Sequence, residues 1–238
     1  MNYDAVILSS EKDYIKLDFL LDSLINLDPK PENIFVISPT EIKEKRKEVN
    51  YFLDDEVLKF KKENLKFRPN WIKQQFLKLF QDITKNDYYL ILDSDIFLNK
   101  KIEIFKNNKP NFLLSVDQNH KPYFDFLENF GIKKIYERSF ISEIMLFNKK
   151  IIRRFLEDSN LTVDSFINKS IEIINDNCYI SEFEFYGNMV LKYYPDLYDF
   201  TILNTRVIGK HEDWNKNEIL QTINNNQDLD IISYHTWK

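Results

Sequence analysis

The stretch YYLILDSDIFL, residues 88–98, decides how this chain reads. Leu90, Ile91 and Leu92 run straight into two aspartates one residue apart, and Ile96, Phe97 and Leu98 resume the apolar pattern at once. An unbroken apolar run of this kind fits a strand covered on both faces, as in parallel sheets. Residues i and i+2 of a strand point to one side, so Asp93 and Asp95 are expected to face one space. Two carboxylates that close raise each other's pKa unless positive charge stands beside them. Mg²⁺ and Mn²⁺ prefer hard oxygen ligands and would supply that charge. The simpler reading is a pair of aspartates capping a turn.

Working outward, DAVILSS (4–10) reads as the first strand, and a helix follows with Ile15, Phe19, Leu20, Leu24 and Leu27 along one face. NIFVISP (33–39) is the second strand, and a short one is expected near 57–60. The mixed charges of EIKEKRKEV (41–49) have the spacing of a solvated helix face. RPNWIKQQFLKLFQDI (68–83) predicts a helix with Pro69 in its first turn and Trp71, Ile72, Phe76, Leu79, Phe80 and Ile83 as its apolar face. Further strands are expected at 111–117, 139–148 and 200–208. Helices are expected at 149–158, about 164–176 and 181–193, and DIISYHTWK closes the chain as a strand or ordered tail. Strands alternating with helices indicate an α/β fold with a mostly parallel sheet flanked by helices. Ligands of such sheets bind beyond the carboxyl ends of the strands, where Asp93 and Asp95 fall and where Asp117 is a further candidate.

The chain has 238 residues and 43% hydrophobic content, enough for one sizeable core, so a single domain over 1–238 is expected. A net charge of −5 and a pI near 5.4 argue against a broad basic surface and hence a nucleic-acid partner. The one cysteine, Cys178, excludes an intrachain disulfide framework and fits a reducing compartment. No apolar stretch approaches the roughly 18 residues of a membrane span, and the opening MNYDAVILSS lacks a basic segment or cleavage signal. The expectation is a soluble cytoplasmic protein without an integral membrane segment. Ile, Lys, Asn and Phe abound while Ala5 is the only alanine, which suggests an AT-rich genome, so the cytoplasm is that of a bacterium or a virus-infected host cell. Peripheral docking at a membrane stays compatible with this.

An apolar strand ending in D-S-D, about ninety residues after an N-terminal Rossmann-like strand, resembles the DxD motif of GT-A-fold glycosyltransferases. VILSSEKDYIKLDFLLDSLINL (6–27) resembles the opening of a poorly characterised group of bacterial and viral proteins assigned as glycosyltransferases. FRPNWIKQQFLKLF (67–80) resembles that group's W-x-x-Q-Q-x-x-K-L segment, and SEFEFYGNMV (181–190) resembles a segment near its acceptor side. The late YHTW (234–237) resembles the histidine segment that completes the metal site in several GT-A enzymes. The resemblance implies a Rossmann-type nucleotide-diphospho-sugar transferase fold, with a donor half near 1–117 and an acceptor half and metal-site tail near 118–238. It implies a hexosyltransferase-like activity that moves a sugar from a nucleotide sugar, a UDP-sugar first, to an acceptor hydroxyl. The acceptor would be a glycan, a lipid-linked glycan or a protein, and the role glycan or surface polysaccharide synthesis. The cofactor would be Mn²⁺ or Mg²⁺ bridging the diphosphate.

Under that resemblance Ser9, Ser10 and Asp13 hold the nucleotide, although Asp13 also reads as a helix N-cap. Arg68, Gln74, Gln75 and Lys78 offer donors to diphosphate or sugar, and helical spacing puts 74 and 78 on one face. Asp95 is the main metal ligand, Asp93 binds the metal or the ribose, and His235 completes the site, with His211 as its rival. Asp117 faces a sugar. Glu182 and Glu184 are candidates for the base that takes the acceptor proton. Ser181 and Glu184 also match a capping box, which would occupy Glu184. Gly187 would admit a substrate or another chain segment at close range. LILDSDIFL also resembles the motif of haloacid-dehalogenase phosphohydrolases, in which Asp93 would be the nucleophile, but that motif normally opens its catalytic core. A GT-A-like binding module without catalysis is the non-enzymatic alternative.

Overall fold

The computed structural model describes residues 1–59, 65–115 and 120–236. Five strands form the central sheet in the order Ile144–Asn148, Tyr88–Asp93, Tyr3–Leu8, Ile34–Ser38 and Val49–Leu53. The last four are parallel, and Ile144–Asn148 lies antiparallel along one edge. Alternate side chains enter two separate cores. Val6, Leu8, Tyr89, Ile91 and Phe147 face one, while Ala5, Ile7, Leu90, Leu92 and Leu146 face the other. Burial on both sides explains the unbroken apolar runs in the sequence.

Helix Pro69–Leu79 covers the first face with Ile72, Phe76, Leu77 and Leu79. Phe166, from helix Val163–Ile173, meets Phe76 and Phe80 edge-on. Helix Tyr14–Ser23 covers the other face with Leu17 and Leu20. The expected α/β arrangement of a mostly parallel sheet flanked by helices is therefore present.

A small second sheet matters most for the site. Strand Ile231–Thr236 pairs antiparallel with Ile96–Leu98 and parallel with Thr205–Lys210. Because Ile96 directly follows the two aspartates, this pairing carries the end of the chain back to them. Tyr234 N donates to Asp95 O at 2.7 Å.

Several local expectations change. The sheet's edge strand is Val49–Leu53, whereas 57–60 was expected; Asp54–Val57 is a short helix, and Phe60 lies outside the described residues. Residues 41–48 form an irregular segment with a bend at 43–44 and a turn at 47–48, since Ile42 is buried and Arg46 reaches back to Asp18 and Asp22. These long-range contacts override the local charge spacing. Ile15 is 49% exposed, because the 3-10 turn Glu11–Asp13 sets a buried stripe of Lys16, Leu17, Leu20 and Ser23. The strand expected at 111–117 is Lys109–Leu114, and it joins Asp199–Ile202 in a separate sheet. The single strand expected at 200–208 divides between two sheets, with a break where Asn204 N donates to Asp230 Oδ2 at 2.8 Å. Of 139–148 only Ile144–Asn148 is strand, because Glu143 has φ 63°.

Candidate active site

The parallel ladder aligns Leu8 with Asp93, so Ser9 and Ser10 leave the sheet beside the first aspartate. They line a cavity of about 800 Å³ with Arg68, Trp71 and Gln74. Arg68 has φ 41°, and its guanidinium sits 4.6 Å from the centre of the Trp71 ring, a cation–π contact at the cavity rim. Ser9 is buried, and its Oγ has no hydrogen-bond partner among the described residues. A buried hydroxyl at a cavity wall lacks a donor or acceptor that a ligand can supply.

One helical turn beyond Gln74, Lys78 is buried between two acids. Its Nζ lies 2.5 Å from Asp93 Oδ1 and 2.9 Å from Glu182 Oε1. Burial opposes the charged amine, yet the two carboxylates hold it well above the ordinary lysine range. Burial nonetheless keeps Asp93 and Glu182 above ordinary carboxylate values, with Lys78 acting against it. Asp95 follows in the turn after the strand. Burial, then the charges of Asp93 and Glu143, push its carboxyl up to about 7. Lys78 thus serves Asp93 and Glu182, while the positive charge that acts on Asp95 is that of His235, and the group is short of positive charge.

His235 arrives from the second sheet. Its Nε2 lies 3.0 Å from Glu143 Oε1, and that hydrogen bond raises the imidazole's pKa against burial. Ser233 Oγ donates to the other Glu143 oxygen, and Asp93 N donates to Glu143 O at 3.0 Å. Glu143 is the site residue that sequence reasoning missed. It stands in no motif, and only the antiparallel pairing of its strand with the aspartate strand brings it here.

The other candidates are spread around this centre. Asp13 occupies the N-cap position of helix Tyr14–Ser23 without a side-chain cap bond; it accepts from Ser10 Oγ at 2.6 Å and Lys16 Nζ at 2.9 Å. Gln75 points away from the cavity, its Oε1 3.5 Å from Glu182 N at the start of helix Glu182–Tyr193. Glu184 accepts from Ser139 Oγ at 2.7 Å, Phe140 N at 3.1 Å and Asn188 Nδ2 at 3.0 Å. Ser181 caps Glu184 N, but the glutamate does not return the bond, so only half of the expected capping box forms. His211 is exposed. Asp117 and Trp237 lie outside the described residues.

Among the described residues no three His, Cys, Asp or Glu side chains stand in a ready-made metal cage; Asp93 is turned to Lys78 and His235 to Glu143. The donor chemistry still fits a hard divalent cation. Asp95 feels the charges of Asp93, Glu143 and His235, the donor types are those such an ion takes, and their excess negative charge is what it neutralises. Asp93 also keeps 28% of its side chain accessible, whereas Glu182 keeps 2%.

The fold is that of solved glycosyltransferase structures. Galactosyltransferase LgtC, in complex with donor and acceptor sugar analogs, aligns with TM-score 0.52 and 12% identity over 97% of this chain and 86% of that one. An active-site mutant of LgtC gives the same figures. Mouse xyloside xylosyltransferase 1, in its apo form, aligns with TM-score 0.49 and 14% identity over 98% and 97% of the two chains. At 12% identity the likeness to LgtC speaks for fold alone. No curated protein matches the sequence. No helix among the described residues is long and apolar enough to cross a membrane. A family of unknown function (DUF6492) matches residues 6–137. That match spans more than half of the sequence, and the chain belongs to this family.

Proposed function

We propose that this protein is a divalent-cation-dependent glycosyltransferase using a nucleotide sugar, a UDP-sugar in the first instance. The observation that carries the reading is the junction of a cavity holding an unpartnered Ser9 hydroxyl with a carboxylate group short of positive charge, at the carboxyl end of one parallel sheet. A nucleoside diphosphate needs both parts: a pocket for base and ribose, and a charged end for the diphosphate.

In this reading Ser9, Ser10, Trp71 and Gln74 hold the nucleoside, with Arg68 at the rim as a phosphate donor. Asp13 braces the loop through Ser10 and Lys16. Asp95, Asp93 and His235 hold Mn²⁺ or Mg²⁺, which when bound supplies Lewis-acid stabilisation of the departing diphosphate. Lys78 fixes Asp93 and offsets phosphate charge from beneath. Glu182 serves as the base for the acceptor hydroxyl of a glycan, lipid-linked glycan or protein once it parts from Lys78. Glu184 anchors residues 139–140, and Gln75 braces the start of the Glu182 helix.

The test is a thermal-shift panel of UDP, GDP, CMP and ADP, each with and without Mn²⁺, on the wild type and Asp95→Ala. A ligand at a hundredfold excess over Kd raises stability by about 2.7 kcal/mol. A shift that needs one nucleotide and the metal, and that vanishes in the variant, supports the reading. A flat panel removes it. A trapped aspartyl-phosphate on Asp93 would replace it with the phosphohydrolase.

A further inference from the structure

We propose that Asp54 and Lys73 read the nucleobase in the cavity beside Ser9, and that they select a base whose edge sets a carbonyl next to a ring N–H, as uracil and guanine do, over cytosine and adenine. This deepens the nucleotide-sugar reading above and rests on it.

Position gives the first reason. The strands that end in Asp93, Leu8, Ser38 and Leu53 are neighbours in that order. Their ends lie in register, since Leu8 aligns with both Asp93 and Ile37, and Ser38 aligns with Leu53. Asp54 follows Leu53 directly, three strand spacings of about 4.8 Å from Asp93, or about 14 Å across the sheet. With a diphosphate at the Asp93 end, a nucleoside laid along these strand ends brings its base to Asp54. Between the two points Ser9 and Ser38 line the cavity, and the buried Ser9 Oγ has no partner among the described residues.

Chemistry gives the second. Of the charged side chains on the cavity wall, Glu11, Lys12 and Arg68 are exposed. Lys73 keeps only 6% of its side chain accessible and Asp54 17%. Lys73 Nζ lies 2.9 Å from Asp54 Oδ2 and 2.6 Å from Asp55 Oδ1. Burial opposes the ammonium, but its hydrogen bonds to Asp55 and Asp54 raise it above the ordinary lysine range. An ammonium only donates, through three N–H groups, and a carboxylate only accepts, at several lone pairs. Side by side they match a carbonyl next to a ring N–H. Cytosine and adenine present the reverse, an amino group next to a bare ring nitrogen. They would set donor against donor and acceptor against acceptor, and unmade bonds at a buried site are costly. The amides of Asn70 and Gln74 also line the cavity, but an amide can turn to suit either edge.

The experiment titrates the full chain with Mn²⁺ present, by calorimetry, with UDP, GDP, CDP, ADP and pyrophosphate. It adds N3-methyl-UDP and N1-methyl-GDP, in which the ring N–H is blocked. Wild type is compared with Asp54→Asn, whose amide can accept or donate; circular dichroism verifies folding. The wild type is expected to bind UDP or GDP roughly tenfold or more tightly than CDP and ADP, and to lose about as much when the preferred base is methylated. Asp54→Asn should erase most of that preference and leave pyrophosphate binding unchanged. The UDP and GDP arms tell the two bases apart. An Asp54→Asn protein that keeps the wild-type preference overturns the assignment and leaves the Lys73 pairs a brace between helices Pro69–Leu79 and Asp54–Val57. So does full-strength binding of the methylated base by the wild type, and this measurement decides alone if Asp54→Asn fails to fold. A wild type that binds all four nucleotides alike overturns this proposal alone, whereas one that binds none overturns it together with the nucleotide-sugar reading.

Discussion

Lys78 Nζ stands 2.5 Å from Asp93 Oδ1, and this pair joins the helix that lines the cavity to the strand that delivers the aspartates. The same ammonium reaches Glu182, so a third element is tied to the same charge. Lys78 and Glu182 are buried and Asp93 is half-buried, and the worth of the cluster shows when the lysine is removed.

Replacing Lys78 by Met leaves a buried carboxylate, Glu182, and a half-buried one, Asp93, without their cation. Breaking a buried ion pair from one side costs about 3–5 kcal/mol. Both acids already sit above their ordinary pKa, so the variant should recover at lower pH, where they protonate. Urea unfolding at pH 7.5 and pH 5 measures this. An equal loss at both pH values would mean that packing, not charge, dominates.

The cation-free protein should lose stability as pH rises from about 4 to 8. Asp95 titrates near 3.9 when unfolded, against about 7 in the folded chain. A raised acid binds its proton more tightly when folded, so its contribution is full below the unfolded value and lost on passing the folded one. His235 is also raised and acts in the same direction. Ligands must be deprotonated to bind metal, so the Mn²⁺-induced rise in Tm should be larger at pH 8 than at pH 5.5. Melting curves in EDTA and in Mn²⁺ report both trends; a Mn²⁺ shift that is smaller at pH 8 would contradict the assignment.

Asp95→Asn should separate activity from stability. It removes a buried charge that the apo fold holds at a cost, so Tm in EDTA at pH 8 should stay level or rise. Turnover with nucleotide sugar and Mn²⁺ should fall by roughly a hundredfold or more, and the Mn²⁺-dependent Tm shift should disappear. Stability lost for a functional charge is a recurrent trade. A large drop in EDTA Tm with intact turnover would assign Asp95 to the fold instead.

Gly187→Ala should destabilise the protein by about 1–3 kcal/mol through overpacking. A Cβ at Gly187 would lie 2.3 Å from the Phe140 ring, so this glycine admits a chain segment, one of the two occupants expected from sequence. Adding Phe140→Leu should recover part of the loss, and a double-mutant cycle in urea quantifies the coupling. Additive losses would show that the two sites do not collide.

Much of the scaffold was legible because it rests on local pattern. Buried parallel strands announce themselves as apolar runs, and Tyr3–Leu8, Ile34–Ser38 and Tyr88–Asp93 were readable in that way. The paired aspartates stood out by context, since charge at the end of such a run is costly without a partner. Lys78 was readable as a donor but not as a buried one. On an amphipathic helix a lysine looks like a solvated polar residue, and the packing of helix Glu182–Tyr193 covers it, whereas Gln75 already stood beside the apolar Phe76 and Leu79. The charged segment 41–49 misled for the complementary reason, because Arg46 finds its acids far along the chain.

The sequence by itself therefore determined the α/β alternation, the strand that ends in Asp93 and the kinds of side chain available to the site, all properties of residues near one another in the chain. The tertiary structure alone decided which charges meet. Lys78 lies between Asp93 and Glu182, and Glu143 lies between Asp93 and His235, because an antiparallel edge strand and a returning C-terminal strand bring together segments that are distant in sequence. Electrostatics falls with distance in space, and distance in space is set by strand pairing, which no local spacing encodes.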